Sequence, residues 1–207
     1  DVRPRRSALY MPGSNARALE KARGLPADML ILDLEDAVAP DAKAAARRQV
    51  AEALATGGYG SRELVVRVNG LETPWGRDDI AAVARSRVDA VLLPKVESAA
   101  TVRETAGLLA QNGAADALRI WCMIETPIGV LNVRDIAAAH PRLALLTLGT
   151  ADLSKNLHAD LHAPDRLPLL TSIGLCILAA RAHGLGILDA PHFNLDDAAG
   201  FERACRQ

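Results

Sequence analysis

Seven short, almost wholly apolar runs constrain this chain more than any other feature: Ala8–Met11, Met29–Leu34, Leu64–Val68, Ala90–Val96, Ile120–Ile124, Leu143–Leu148 and Gly186–Ala190. Their hydrophobicity is continuous rather than alternating, as a strand buried on both faces requires, and such strands belong to parallel sheets covered by helices. Run starts at Leu30, Leu64, Val91, Ile120 and Leu143 lie 34, 27, 29 and 23 residues apart, close to the roughly 30 residues of a βαβ unit. The Ala-rich segments between them carry helix punctuation. Asp41 precedes Ala42–Ala55, which Thr56-Gly57-Gly58 ends, and Ser98 precedes Ala99–Leu109, which Gly113 follows. A last helix is expected over Leu195–Arg206.

An open doubly wound sheet and a closed (β/α)8 barrel both produce this alternation. No G-x-G-x-x-G or P-loop follows the first run, where Met11-Pro12-Gly13-Ser14-Asn15 stands instead, so the usual reason for a dinucleotide-binding sheet is missing. Read as a TIM barrel, the chain is an α/β single domain over residues 1–207 that stops one strand short. The expectation is that the eighth strand and whatever follows it are absent from this sequence. At 207 residues and 50% hydrophobic content the chain can bury one sizeable core. With 24 basic and 25 acidic residues, net −1, no global field recruits nucleic acid or an anionic membrane, and any anion binding must be local. Cys122, Cys176 and Cys205 lack paired spacing, which argues against a disulfide framework and for packing residues in a reducing cytoplasm. No apolar leader follows the opening Asp1-Val2-Arg3-Pro4-Arg5-Arg6, and no run reaches the roughly 18 residues of a membrane span.

A barrel assembles its active site at the C-terminal ends of its strands. The polar residues there are Glu35 and Asp36, Arg67 and Asn69, Lys95 and Glu97, Glu125, Asp152, and Asp189 with His192. Strands end at polar residues everywhere, and Asp28, Arg62 and Asp89 stand at the opposite ends of the same runs. That plain reading does not explain Arg67 inside Val65-Val66-Arg67-Val68-Asn69, or Asp33 and Glu35 interrupting the second run. A charge on a buried strand is costly unless paired or ligating, so these residues need partners. Several carboxylates with one nearby histidine and no cysteine cluster suit a hard, oxygen-preferring cation, Mg2+ first, for which Glu125 and Asp152 would suffice. His158 and His162 stand four apart in a loop-like stretch before Pro164 and are read as surface residues. Trp75 is expected to anchor the following helix, or else to line the mouth.

The motifs are specific in combination: Arg6-Ser7-Ala8-Leu9-Tyr10-Met11-Pro12-Gly13, Leu32-Asp33-Leu34-Glu35-Asp36-Ala37-Val38, Val66-Arg67-Val68-Asn69, Leu93-Pro94-Lys95-Val96-Glu97, Ile124-Glu125-Thr126-Pro127-Ile128-Gly129-Val130 and Leu148-Gly149-Thr150-Ala151-Asp152-Leu153. With them, nearly end to end, the chain resembles the citrate lyase β-subunit family of the HpcH/HpaI aldolase and citrate lyase superfamily. The resemblance implies a TIM barrel with Mg2+ bound by Glu125 and Asp152. It implies a keto-acid carboxylate on Arg67, whose planar guanidinium can grip it through two parallel hydrogen bonds, and on the backbone around Gly149, Thr150 and Ala151. Glu35 and Asp36 would stand beside the metal, holding water or orienting the acyl group. Lys43 and Arg47 would meet a CoA phosphate, with a solvated helix face as the plain alternative. The implied activity is cleavage of a 3-hydroxyacyl thioester, citryl-CoA or malyl-CoA in type, to an acyl thioester and a 2-keto acid, oxaloacetate or glyoxylate. CoA or an acyl-carrier subunit would carry the acyl group, in a cytoplasmic homotrimer or hexamer. Rivals are a pyruvate-dependent class II aldolase, a phosphoenolpyruvate enzyme and a non-catalytic keto-acid-binding subunit. The sequence departs from the family at Ala151, where an acid often stands, and in lacking an I-H-P motif and the lid beyond it.

Overall fold

The computed structural model describes residues 3–207, so Asp1 and Val2 lie outside the described residues. Every apolar run forms a strand: β1 (Ala8–Pro12), β2 (Met29–Asp33), β3 (Glu63–Arg67), β4 (Ala90–Leu93), β5 (Arg119–Ile124), β6 (Leu143–Leu148) and β7 (Gly186–Leu188). All neighbours are parallel and the order is sequential from β1 to β7, the arrangement of a curled α/β half-barrel. Several runs outlast their strands. Leu34, Val68 and Val96 continue past the ladder, and those continuations carry the polar residues of the site. Among the described residues β1 and β7 each pair with one neighbour, and no eighth strand joins them.

Continuous hydrophobicity divides into two cores because strand side chains alternate between faces. On the outer face Leu30, Leu32, Val66, Val91, Ile120 and Leu146 pack against the helices. On the inner face Met29, Ile31, Val65, Leu92, Trp121 and Leu145 pack against one another. The N-terminal end of the barrel is closed by charge pairing. Arg5 grips the buried Glu63 through two bonds of 2.6 and 2.7 Å and lies 5.5 Å over the Trp121 ring. Asp28 and Asp89 hold Arg6 and Arg3 beside it, and Arg62 donates to the carbonyls of Leu25 and Tyr59. These polar strand ends are structural.

The helices are α1 (Ala16–Ala22), α2 (Lys43–Thr56), α3 (Gly76–Ala84), α4 (Ala99–Gln111), α5 (Pro127–Leu131), α6 (Val133–Ala137), α7 (Thr150–Leu157), α8 (Leu170–Ala182) and α9 (Ala198–Arg206). Ser98 caps α4 as expected, accepting from the Thr101 amide at 3.3 Å. Asp41 caps nothing: Pro40–Ala42 is a 3-10 turn, and α2 begins after Ala42 without a side-chain cap. The last helix starts at Ala198 rather than Leu195, because Asp197 accepts from the Gly200 amide at 2.7 Å. Cys122 and Cys176 are buried, whereas Cys205 is exposed. No helix among the described residues is long and apolar enough to cross a membrane.

Candidate active site

Parallel register sets Asp33, the last residue of β2, directly opposite Arg67, the last of β3. They form the bidentate pair that two charges on buried strands require, Nε to Oδ1 at 2.7 Å and Nη2 to Oδ2 at 2.6 Å. Asp33 also accepts from the amides of Glu35 and Ala37, which folds the chain back above β2. Burial pulls the Arg67 pKa down, but the Asp33 hydrogen bonds and the charges of Asp33 and Glu35 more than offset it, so the guanidinium stays charged. The Tyr10 ring lies 5.1 Å from that guanidinium. Asp33 therefore occupies one edge of Arg67. Nη1 is the nitrogen Asp33 leaves free, and it lies 3.0 Å from Glu35, 3.8 Å from Asp36 and 4.0 Å from Met123 Sδ. The expected two-bond grip on a ligand carboxylate is not open on the edge that Asp33 holds.

Lys95 follows β4 with a left-handed backbone, φ 47°, uncommon for a residue with a side chain. The turn takes its amide out of the ladder and aims it at Glu125 Oε1, 2.8 Å away. The Lys95 ammonium lies 2.6 Å from Glu35, 3.4 Å from Asp152 and 3.9 Å from Asp36. Burial opposes its charge, but the Glu35 hydrogen bond and the charges of Glu35, Glu125 and Asp36 raise its pKa. Glu125, at the end of β5, is 3% exposed. Burial, reinforced by the charges of Glu35 and Asp152, pushes its carboxyl up to about 7 against the pull of Lys95. Burial likewise raises Glu35, opposed by the Lys95 hydrogen bond and Arg67 and aided by Asp36.

The motif glycines follow from this packing. A Cβ on Gly149 would collide with the Glu125 side chain, so the carboxylate can lie across the end of β6 only over glycine. After Glu125, Thr126 caps α5 by accepting from the Gly129 amide at 3.1 Å, and Pro127 fills the first helical turn, where no N–H is needed. A Cβ on Gly129 would come within 2.6 Å of the Val96 carbonyl oxygen. Asp152 lies in the first turn of α7, whose N-terminus has no side-chain cap. The amides of Thr150 and Ala151 are in that turn, but the Gly149 amide is spent on the Ile124 carbonyl at 3.1 Å.

Among the described residues no three His, Cys, Asp or Glu side chains converge as a ready-made metal cage. The donor set nevertheless fits Mg2+, which commonly takes one or two carboxylates and keeps water in its other positions. Both carboxylates border Lys95: Glu125 accepts from its amide at 2.8 Å, and Asp152 lies 3.4 Å from its ammonium. A pocket of about 310 Å³ opens beside Lys95, lined also by Glu35, Asp36, Asn69 and Trp75.

Other candidates lie elsewhere. Asp189 pairs with Arg166 at 2.6 Å, His192 packs on Phe201, and Glu97, His158 and His162 are exposed. Lys43 and Arg47 form neither a free phosphate edge nor a solvated face. Lys43 is buried and donates to the carbonyls of Leu34 and Glu35 at 2.9 and 2.6 Å. Arg47 pairs with Asp79 at 2.6 Å and Asp78 at 3.2 Å. Trp75 lines the pocket, with the Lys43 ammonium 5.6 Å over its ring. Two further residues belong to the site without a sequence signal of their own role: Tyr10 under Arg67, and Asp79, which accepts from Arg47, the Asn69 amide and Asn69 Nδ2. The sequence marks Asp79 only as an acid between the buried Gly76, Ile80 and Val83 on the inner face of α3.

The family model for the HpcH/HpaI aldolase/citrate lyase group matches residues 6–207. A (3S)-malyl-CoA thioesterase of Cereibacter sphaeroides is 50% identical over 202 residues, covering 98% of this chain and 68% of that protein. The citrate lyase subunit beta of Leuconostoc mesenteroides subsp. cremoris is 37% identical over 206 residues, covering 97% and 68%. A citrate lyase beta subunit from M. tuberculosis, solved in complex with oxaloacetate and magnesium, superposes with a TM-score of 0.79 at 30% identity, covering 95% of this chain and 83% of that one. Fold, motifs and near-complete matches agree, and the chain belongs to the HpcH/HpaI aldolase/citrate lyase family.

Proposed function

We propose that this chain is a Mg2+-dependent enzyme acting on a malyl-CoA-type thioester, hydrolysing it to CoA and the free hydroxy acid. The observation that carries the site is the convergence of Glu35, Asp36, Glu125 and Asp152 on Lys95 and the Nη1 end of Arg67. The 50% identity to a malyl-CoA thioesterase favours hydrolysis over other fates of the same substrate. In this reading Glu125 and Asp152 hold the ion, which when bound supplies a Lewis acid for oxygens of the hydroxy-acid head. Arg67 Nη1 and the first-turn amides of α7 at Thr150 and Ala151 bind the head's carboxylate. Glu35, whose burial keeps it above the usual carboxylate range, receives the proton of the attacking water, and Asp36 orients that water. The acyl arm leaves through the pocket past Asn69 and Trp75. CoA phosphates would be met by groups other than Lys43 and Arg47, whose charges are engaged within the chain. An eighth strand closing the barrel into one domain, a cytoplasmic setting and assembly as trimers or hexamers belong to the same reading.

The second reading is carbon–carbon cleavage to an acyl thioester and a 2-keto acid, supported by the 37% identity to a citrate lyase beta subunit. Here Glu35 takes the proton of the substrate hydroxyl instead of that of a water. Incubation with (3S)-malyl-CoA or citryl-CoA, with and without Mg2+, separates the two by product. Hydrolysis releases one free thiol per substrate and no keto acid. Lyase chemistry releases glyoxylate or oxaloacetate, trapped as a phenylhydrazone, with no free thiol. Magnesium-dependent binding of a keto acid with neither product would support a non-catalytic binding subunit.

A further inference from the structure

We infer that Lys95 is an internal counter-cation that competes with the divalent ion for the site's carboxylates and thereby couples metal binding to the arrival of an anionic ligand. The inference rests on the metal reading above and adds a role for a residue that reading leaves unassigned. Among the described residues Asp33, Glu35, Asp36, Glu125 and Asp152 gather around Arg67 and Lys95, with Lys43 nearby but bonded to the Leu34 and Glu35 carbonyls, and Asp33 already engages Arg67. Lys95 is left as the counter-charge for the remainder. Mg2+ bound to Asp152 needs an oxygen at about 2.0–2.1 Å. The ammonium, 3.4 Å from the same carboxylate and 2.6 Å from Glu35, stands in the volume that ion and its waters need. Two cations cannot share it, so one must move.

The geometry also determines how Lys95 moves. Its amide is held by Glu125 and its backbone is fixed in the left-handed region, so displacement falls to the flexible side chain, which is 39% exposed and already lines the pocket. Pushed from the carboxylates, the ammonium swings into the pocket it already lines, through which an anionic ligand would pass on its way to Arg67. The ion alone therefore binds against the loss of these ion pairs, whereas ion and anion together restore a partner to every charge. Lys95 is thus a positioning residue for metal loading.

The test is calorimetric titration of Mg2+ into the full chain and its Lys95→Met and Lys95→Arg variants, with and without oxaloacetate, alongside thermal melting without metal. Lys95→Met is expected to bind Mg2+ alone about two- to fivefold tighter, the scale of partly exposed ion pairs, and to gain less from oxaloacetate than the wild type. Lys95→Arg, which keeps a cation, is expected to behave as wild type. Without metal, Lys95→Met melts at a lower temperature because the carboxylates lose their counter-charge. Unchanged or weaker Mg2+ binding in Lys95→Met, or an unchanged metal-free melting temperature, overturns the inference while leaving the metal reading intact. Mg2+ binding to none of the three proteins removes the metal reading and the inference with it.

Discussion

Asp33 and Arg67 show what a buried strand charge demands. Each is nearly inaccessible, and each satisfies the other across one ladder position. Removing one partner strands the other without water. Asp33→Ala is therefore expected to cost about 3–5 kcal/mol, read as a lower midpoint in urea denaturation, and to swing Arg67 toward Glu35. Gly149→Ala acts differently, because the new methyl collides with Glu125 rather than opening a hole. It should weaken Mg2+ affinity about tenfold or more, as disturbed ligand orientation does, while the circular dichroism spectrum stays native. The need of Asp33, Glu35 and Arg67 for partners is legible in the sequence, since apolar neighbours on both sides leave no other explanation. Lys95 and Tyr10 are harder to read, because a strand-end lysine and an edge-strand tyrosine reveal their roles only once parallel register brings β1, β3 and β4 to one rim. Lys43 misleads for a related reason: an Ala-rich helix with lysines and arginines looks solvated, and only the turn after β2 brings the Leu34 and Glu35 carbonyls to its first residue.

At the scale of elements, continuous hydrophobicity marks all seven strands, and it does so most directly for the central β2 and β4, which are buried along their whole length, whereas the edge strands β1 and β7 are only partly covered. Helix starts are less secure, since a capping residue type is necessary but not sufficient. Ser98 has extended geometry and bonds the Thr101 amide, whereas Asp41 lies inside a 3-10 turn opened by Pro40. Ser98→Ala should accordingly destabilise the fold by about 1 kcal/mol, and Asp41→Ala should stay within about 0.5 kcal/mol of wild type, both measured by chemical denaturation. Asp79 joins α2 to the loop after β3 through Arg47 and Asn69. Asp79→Ala leaves the buried Asn69 amide without its acceptor and Arg47 with only Asp78 and the Trp75 carbonyl, and should cost about 1–3 kcal/mol.

Across the whole molecule, charge is used differently at the two ends of the barrel. At the N-terminal end Arg5 pairs with Glu63 and stacks over the Trp121 ring, while at the C-terminal end carboxylates outnumber the cations that face them. Arg5→Met should lower stability by about 2 kcal/mol, less than a fully buried pair because Arg5 is part-exposed, with Mg2+ binding retained. The sequence alone cannot show this division, because Asp28, Glu63 and Asp89 are the same residue types as Glu35, Glu125 and Asp152, and only strand direction sends them to opposite ends. Calorimetric titration of Mg2+ into the folded wild type, Glu125→Gln and Asp152→Asn tests whether these two carboxylates hold the ion. One Mg2+ site is expected in the wild type, and either substitution should abolish it. A folded wild type that binds no Mg2+, or a Glu125→Gln variant that binds it as tightly, would contradict that assignment.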